Sequence, residues 1–329
     1  FAPHSRTSYL DAIFESVGQY VINTNNGFLA ASRQGGLPRP HTRPLYATRG
    51  SRQGYNARFV PWFGSSDHMT FLDGPINTPA VALINWDDDY IHSSDDDLFQ
   101  IDQTQLRRNN FIIGAIAYFL GRATERDVPT LAAETYAQGT KRLANDLRVA
   151  MNLLKEGTPA AGDNWKEANY LIEQGVLREQ RALNTIRVFT TPGSRAAASL
   201  GELAANMKRN GAQLSADLET YYTQLRGARP ATVKLSAAEI AAAKKIPQNA
   251  AIKPYFENRD NVRVRTNLHG LMRDEVFNFV DGQRSYYDIY KAVYAEAAAA
   301  GSWYYGTVTL QDVVSLLDAA VQARALTLK

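Results

Sequence analysis

The chain has 329 residues, room for about two or three domains. Its composition, 45% hydrophobic and 21% charged, excludes wholesale disorder. A net charge of +3, from 36 basic and 33 acidic side chains, is too small to argue for a nucleic-acid footprint, and no apolar run approaches a bilayer span.

In chain order, residues 8–23 predict an amphipathic helix, because Leu10, Ile13, Phe14, Val17 and Val21 recur at three- and four-residue steps. Residues 31–57, rich in Pro, Gly and Arg, read as a long loop of the kind that carries function or is packed by a neighbour. Residues 57–62 read as a short strand. The run Ala-Val-Ala-Leu-Ile-Asn at 80–85 reads as a strand buried on both faces of a parallel sheet. Residues 104–122 predict a helix burying Leu106, Ile112, Ile113, Ile116, Tyr118 and Leu120. Alternation of helix and strand predicts an α/β domain over 1–124.

The remainder is richer in Ala, Leu, Glu and Arg. Long helices are expected at 125–156, 163–189 and 195–226, broken at Gly157-Thr158-Pro159 and Thr191-Pro192-Gly193. They form an expected antiparallel bundle, with a connector reaching residue 262. Within the connector, Ser236 with Glu239 three residues on marks the start of a short helix. Residues 263–329 predict three helices, near 268–280, 285–300 and 309–323, in a small winged-helix-like end. No Lys or Arg falls between 309 and 322, so that end lacks a basic recognition helix.

The chemistry-bearing stretch is 63–102, with two histidines and nine aspartates in 40 residues. His92 follows the predicted strand at 80–85, at the edge where open α/β sheets place their sites. A neutral imidazole is a common zinc ligand, and Asp95, Asp96 or Asp97 can orient its second nitrogen. His68, beside Asp67 at a predicted helix start, is a further candidate. The competing reading is a solvated Asp-rich loop. Asp87-Asp88-Asp89 lacks the spacing of a calcium loop. No Gly-x-Ser-x-Gly elbow or phosphate loop occurs. His4, His41 and His269 are isolated. Arg33, Arg39, Arg43, Arg49, Arg52 and Arg58 are suited to a substrate carboxylate, a solvated loop or an interface.

The ordered motifs Ser66-Asp67-His68-x-x-Phe71, Gly74, Pro79-Ala80-Val81, Tyr90-Ile91-His92-Ser93-Ser94-Asp95-Asp96 and Ile101-Asp102 resemble the C-terminal part of the co-catalytic zinc aminopeptidases. This is the bacterial leucyl-aminopeptidase type, which has glutamate carboxypeptidase-type relatives. The resemblance covers roughly residues 1–124. It implies a three-layer zinc-peptidase sandwich, followed here by a mostly α-helical region. It implies secretion or a periplasmic location in a bacterium, a peptide substrate, and two zinc ions in the complete enzyme. His92 corresponds to the last zinc ligand, with Asp96, Asp67 and His68 in support.

The family's other ligands and its general base lie upstream of these motifs. The chain opens Phe1-Ala2-Pro3-His4, so they are expected on an N-terminal half of the same precursor. Phe63 stands where some relatives carry a Tyr that helps hold the reacting carbonyl. These residues alone are therefore expected to be inactive, with one zinc ion or none. The alternative expectation is a processed, inactive fragment that serves as a structural or filament-forming subunit, self-associating through its helical region.

Overall fold

The structure is a computed structural model that describes residues 1–34, 44–64, 66–86, 88–156 and 161–329. Among these residues it is a mostly helical fold with two strands in one small sheet. The expected three-layer α/β sandwich over 1–124 is therefore incorrect. Residues 57–62 and 80–85 form no strand. An apolar run becomes a central strand only when partners satisfy its amide and carbonyl groups on both sides. The described residues supply no strand beside 80–85, and the run lies half-buried to exposed across irregular backbone.

Helix α1 spans Tyr9–Gln34, running past its expected end. Ile13 and Val21 of its apolar face are buried. The short helix α2 spans His68–Leu72, and α3 spans Gln103–Arg122. Asp102 caps α3 by accepting from the Thr104 N–H at 2.8 Å, and the same carboxylate takes the Ser51 hydroxyl at 2.5 Å. One face of α3 buries Ile112 and Ile116. The opposite face leaves Leu106, Ile113 and Tyr118 exposed, contrary to expectation.

Three long helices follow: α4 at Val128–Glu156, α5 at Ala161–Thr185 and α6 at Arg195–Arg226. Their register is antiparallel. Gly139 faces Glu179, Gly175 faces Asp146, and Asn164 reaches Leu153, so position falls along α5 as it rises along α4. Between α5 and α6, Val176 meets Gly211 while Gln180 meets Ala204. Helix α1 packs on α3 and α4. The expected break at Gly157-Thr158-Pro159, together with Arg39, Arg43, His41 and Asp87, lies outside the described residues.

The chain then forms α7 at Ala237–Ala243, β1 at Pro247–Asn249, α8 at Ile252–Arg259, α9 at Gly270–Asn278, α10 at Tyr286–Ala300, α11 at Ser302–Tyr305, α12 at Leu310–Gln322 and β2 at Leu326–Leu328. Ser236 and Glu239 close the capping box expected from the sequence. Strands β1 and β2 pair antiparallel, Gln248 opposite Thr327. The segment between α10 and α12 is a helical turn rather than the strand of a winged helix. Helix α10 is buried along most of its length, packing on α5, α7, α9 and α12. It thereby joins the C-terminal core of Met272, Val276, Ile289, Val293 and Leu316 to the bundle.

Candidate functional site

The sequence placed its site at 63–102; Leu72 of this stretch is in the core, but its second half, which holds His92, lies on the surface. Residues 84–86 and 89–101 are exposed. Tyr90 to Ser93 form a tight turn, with the Ser93 N–H and hydroxyl both donating to the Tyr90 carbonyl, at 3.0 and 2.6 Å. His92 occupies the third position with φ of 62°, a left-handed conformation that favours Gly or Asn. This turn presents the His92 ring to solvent, where it makes no hydrogen bond to a described residue. The neighbouring aspartates serve the local backbone. Asp88 accepts from the Tyr90 N–H at 3.0 Å, and Asp97 from the Phe99 N–H at 2.8 Å.

The other expected residues are not gathered around His92. Asp67 precedes α2 without capping it. His68 turns its Nε2 onto the Phe63 carbonyl at 3.1 Å, and its buried Nδ1 has no partner. No hydrogen bond or ion pair joins His92 to Asp96, Asp67 or His68. Among the described residues, no three His, Asp or Glu side chains are grouped as one metal ion requires. A tetrahedral zinc ion needs four donors, more than His92 alone can offer.

A second constellation, missed in the sequence, lies between α4 and α5. Arg142 holds Glu179 through a two-pronged contact, Nε at 2.9 Å and Nη2 at 2.6 Å. Arg178 binds the same carboxylate at 2.6 Å, Asp146 at 2.9 Å and the His4 Nε2 at 3.1 Å. Glu15 of α1 receives Lys141 at 2.5 Å and Arg142 at 3.5 Å. Glycines make the room. A Cβ at Gly139 would stand 2.7 Å from Glu179 Oε2, and one at Gly175 2.5 Å from Asp146 Oδ2.

Burial works against each of these charges, and the partners decide the outcome. Burial pushes the Glu179 carboxyl up, but Arg142 and Arg178 outweigh it and hold the group down to about 2. For Asp146 burial wins over Arg178, and its carboxyl is raised. His4 is held well below the usual imidazole range by burial, reinforced by Arg178, Arg142 and Arg181. A neutral ring leaves Nε2 a lone pair with which to accept from Arg178.

A carboxyl pair adjoins this network. Glu275 accepts from the Ser5 N–H and hydroxyl, both at 2.6 Å, and from Asn278 at 3.1 Å. Glu296 is raised well above the usual carboxylate range by burial and then by Glu275. A cavity of about 690 Å³ opens beside the charge network and Glu296, bounded by α1, residues 57–62, α4, α5 and the end of α10.

The missed residues had a signal. Asp146 lies on the buried row Leu143-Asp146-Ala150, and Glu179 on the row Leu171-Gly175-Glu179-Leu183. A charge on an apolar helix stripe marks a buried ion pair or a site. No family model, curated protein or solved structure matches this chain.

Proposed function

We propose that this chain belongs to a zinc-dependent exopeptidase and contributes one metal ligand, His92, to a site completed by sequence that carries the upstream ligands and general base. The observation that supports the reading is the presentation of His92. A non-glycine residue sits in a left-handed turn position with neither imidazole nitrogen bonded to a described residue, inside the motif order that resembles the zinc aminopeptidases. Zinc in such an enzyme polarises the scissile carbonyl and lowers the pKa of water. What His92 itself does is present its imidazole ring at the surface. Asp95 and Asp96 follow on the same exposed loop.

The test is intact mass spectrometry of the purified particle, native and denatured, with zinc measured on the same sample. The expected result is a second polypeptide carrying the upstream motifs, zinc bound, and loss of that zinc in His92→Ala. Retention of full zinc by His92→Ala overturns the assignment.

One observation favours a second reading, a non-catalytic subunit that associates through exposed apolar surface. Leu98 and Phe99 are 83% and 94% exposed, and the outer face of α3 continues with Leu106, Phe111, Ile113 and Tyr118. A Cβ at Gly114 or Gly121 on this helix would meet nothing within 4 Å. A zinc-free particle containing only multiple copies of this chain supports that reading over the first.

A further inference from the structure

The helical turn His4–Arg6 is a junction between distant parts of the chain. Arg6 donates to the carbonyls of Leu72, Gly74 and Asn278, at 2.8, 2.9 and 2.9 Å. The His4 carbonyl accepts from Arg181 at 3.0 Å. Ser5 donates twice to Glu275, and the His4 N–H faces Glu296.

Glu275 of α9 and Glu296 of α10 stand together behind this turn, 0% and 3% exposed. Glu275 already accepts from three donors. The Oε2 of Glu296 is buried with no partner. A carboxylate there would be unpaired beside a second acid, whereas a neutral carboxyl can donate its proton to Glu275. Burial, and then Glu275, hold Glu296 toward that neutral form. Arg178 of α5 favours the charged form, but Asp146 and Glu179 already share its guanidinium. Tyr305 of α11 and the neutral His4 add no charge. On the cavity wall, Asp11, Glu15 and Asp146 offset Arg58, Lys141 and Arg142. Glu239 of α7 and Asp318 of α12 act at the other end of α10, on Tyr287 and Tyr286.

We propose that Glu275 and Glu296 form a proton-operated latch: sharing one proton they hold the turn His4–Arg6 against α9 and α10, and loss of that proton releases the turn and opens the inner wall of the cavity. Two carboxylates confined together repel, so one must swing away. The one that leaves gives up its hold on Ser5 or on the His4 N–H. Helices α9 and α10 are fixed by the packed core of Met272, Val276, Ile289 and Val293, whereas the turn is held through side chains and is the part that yields. The cavity borders both Glu296 and His4, so water entering there reaches the new charge. The latch needs neither zinc nor His92, so it stands or falls separately from the peptidase reading.

The chain contains no cysteine, so a single introduced thiol can report on the turn. Ala2 is 4% exposed and lies on the cavity wall, two residues before His4, and Ala2→Cys places the probe there. Gly114→Cys, in open space on α3, records how thiol reactivity itself changes with pH. Alkylation of the full chain by iodoacetamide is timed from about pH 6 to about pH 9. The expected result is a roughly tenfold rise in the rate at Ala2→Cys relative to Gly114→Cys, with helical circular dichroism unchanged. Adding Glu296→Gln, which keeps a donor toward Glu275 but no charge, abolishes the rise. Glu275→Gln removes the other charge and abolishes it too, so the test survives if one Gln variant fails to fold. A flat ratio overturns the proposal. So does the same rise in a folded Gln variant, or a rise accompanied by loss of helix.

Discussion

Two acidic regions of this molecule differ in almost every physical respect. The stretch 88–97 concentrates aspartates in sequence and spreads them over an exposed loop, where they bond to nearby backbone amides. Asp146 and Glu179 are far apart in sequence and lie in the middle of helices, yet they share Arg178 in the interior. Density of charge along a chain measures solvation. A single charge placed on an apolar stripe measures commitment, because its desolvation must be offset by a partner.

The largest expected effect comes from breaking the interior partner. Arg178→Ala leaves Asp146 and Glu179 buried with one guanidinium fewer, and should cost roughly 3–5 kcal/mol in denaturant unfolding. A loss below about 1 kcal/mol would mean that water enters the network and that the contrast between the regions is overdrawn. Next comes Gly175→Ala. Its methyl would press on Asp146, and a cost of about 1–3 kcal/mol is expected from the same unfolding curves. The same substitution at the open Gly114 of α3 provides the control: it meets nothing there and should be neutral or stabilising, by up to about 1 kcal/mol.

The pH dependence separates two carboxyls of the interior. Glu179 is held down to about 2, so its pairs contribute fully above its ordinary value of 4.5, and that stability is lost as the pH falls from there toward about 2. Glu296 has the opposite sign. Its folded pKa is raised, so its contribution is present below 4.5 and is lost as the pH rises toward that raised value. Glu296→Gln should therefore flatten the loss of stability on the rising side and leave the acid limb in place, as followed by thermal unfolding across pH. The smallest effect belongs to the exposed region. His92→Ala should shift stability by no more than about 0.5 kcal/mol while reducing zinc uptake. A large destabilisation would show that His92 is a structural residue.

Most helices from 103 onward were legible because their signals are local, whereas α8, inside the expected connector, and the single turn α11 were not. Periodicity placed α3 within one residue of its start, and Ser236 with Glu239 announced a cap that forms as expected. Residues 80–85 were misread because an apolar run specifies burial without specifying a pairing partner. Strand formation depends on chain brought in from elsewhere. The orientation of α3 was misread for a related reason. Both of its faces carry apolar side chains, so periodicity alone could not choose between Ile112 and Ile113. The His92 motif was visible as a pattern, whereas the network around Arg178 required knowing that α4 and α5 run antiparallel with Gly175 facing Asp146.

The pairing of β1 with β2 has a topological consequence. Gln248 and Thr327 sit opposite one another, so helices α8 to α12 lie within a single closed loop of the chain. The entropy of closing a loop rises only with the logarithm of its length, so most of that cost is met as soon as the short ladder forms. We expect the enclosed helices to gain and lose their order together. Their slow-exchanging amides should report one shared opening event, in which the last strand acts as the clasp of the C-terminal unit.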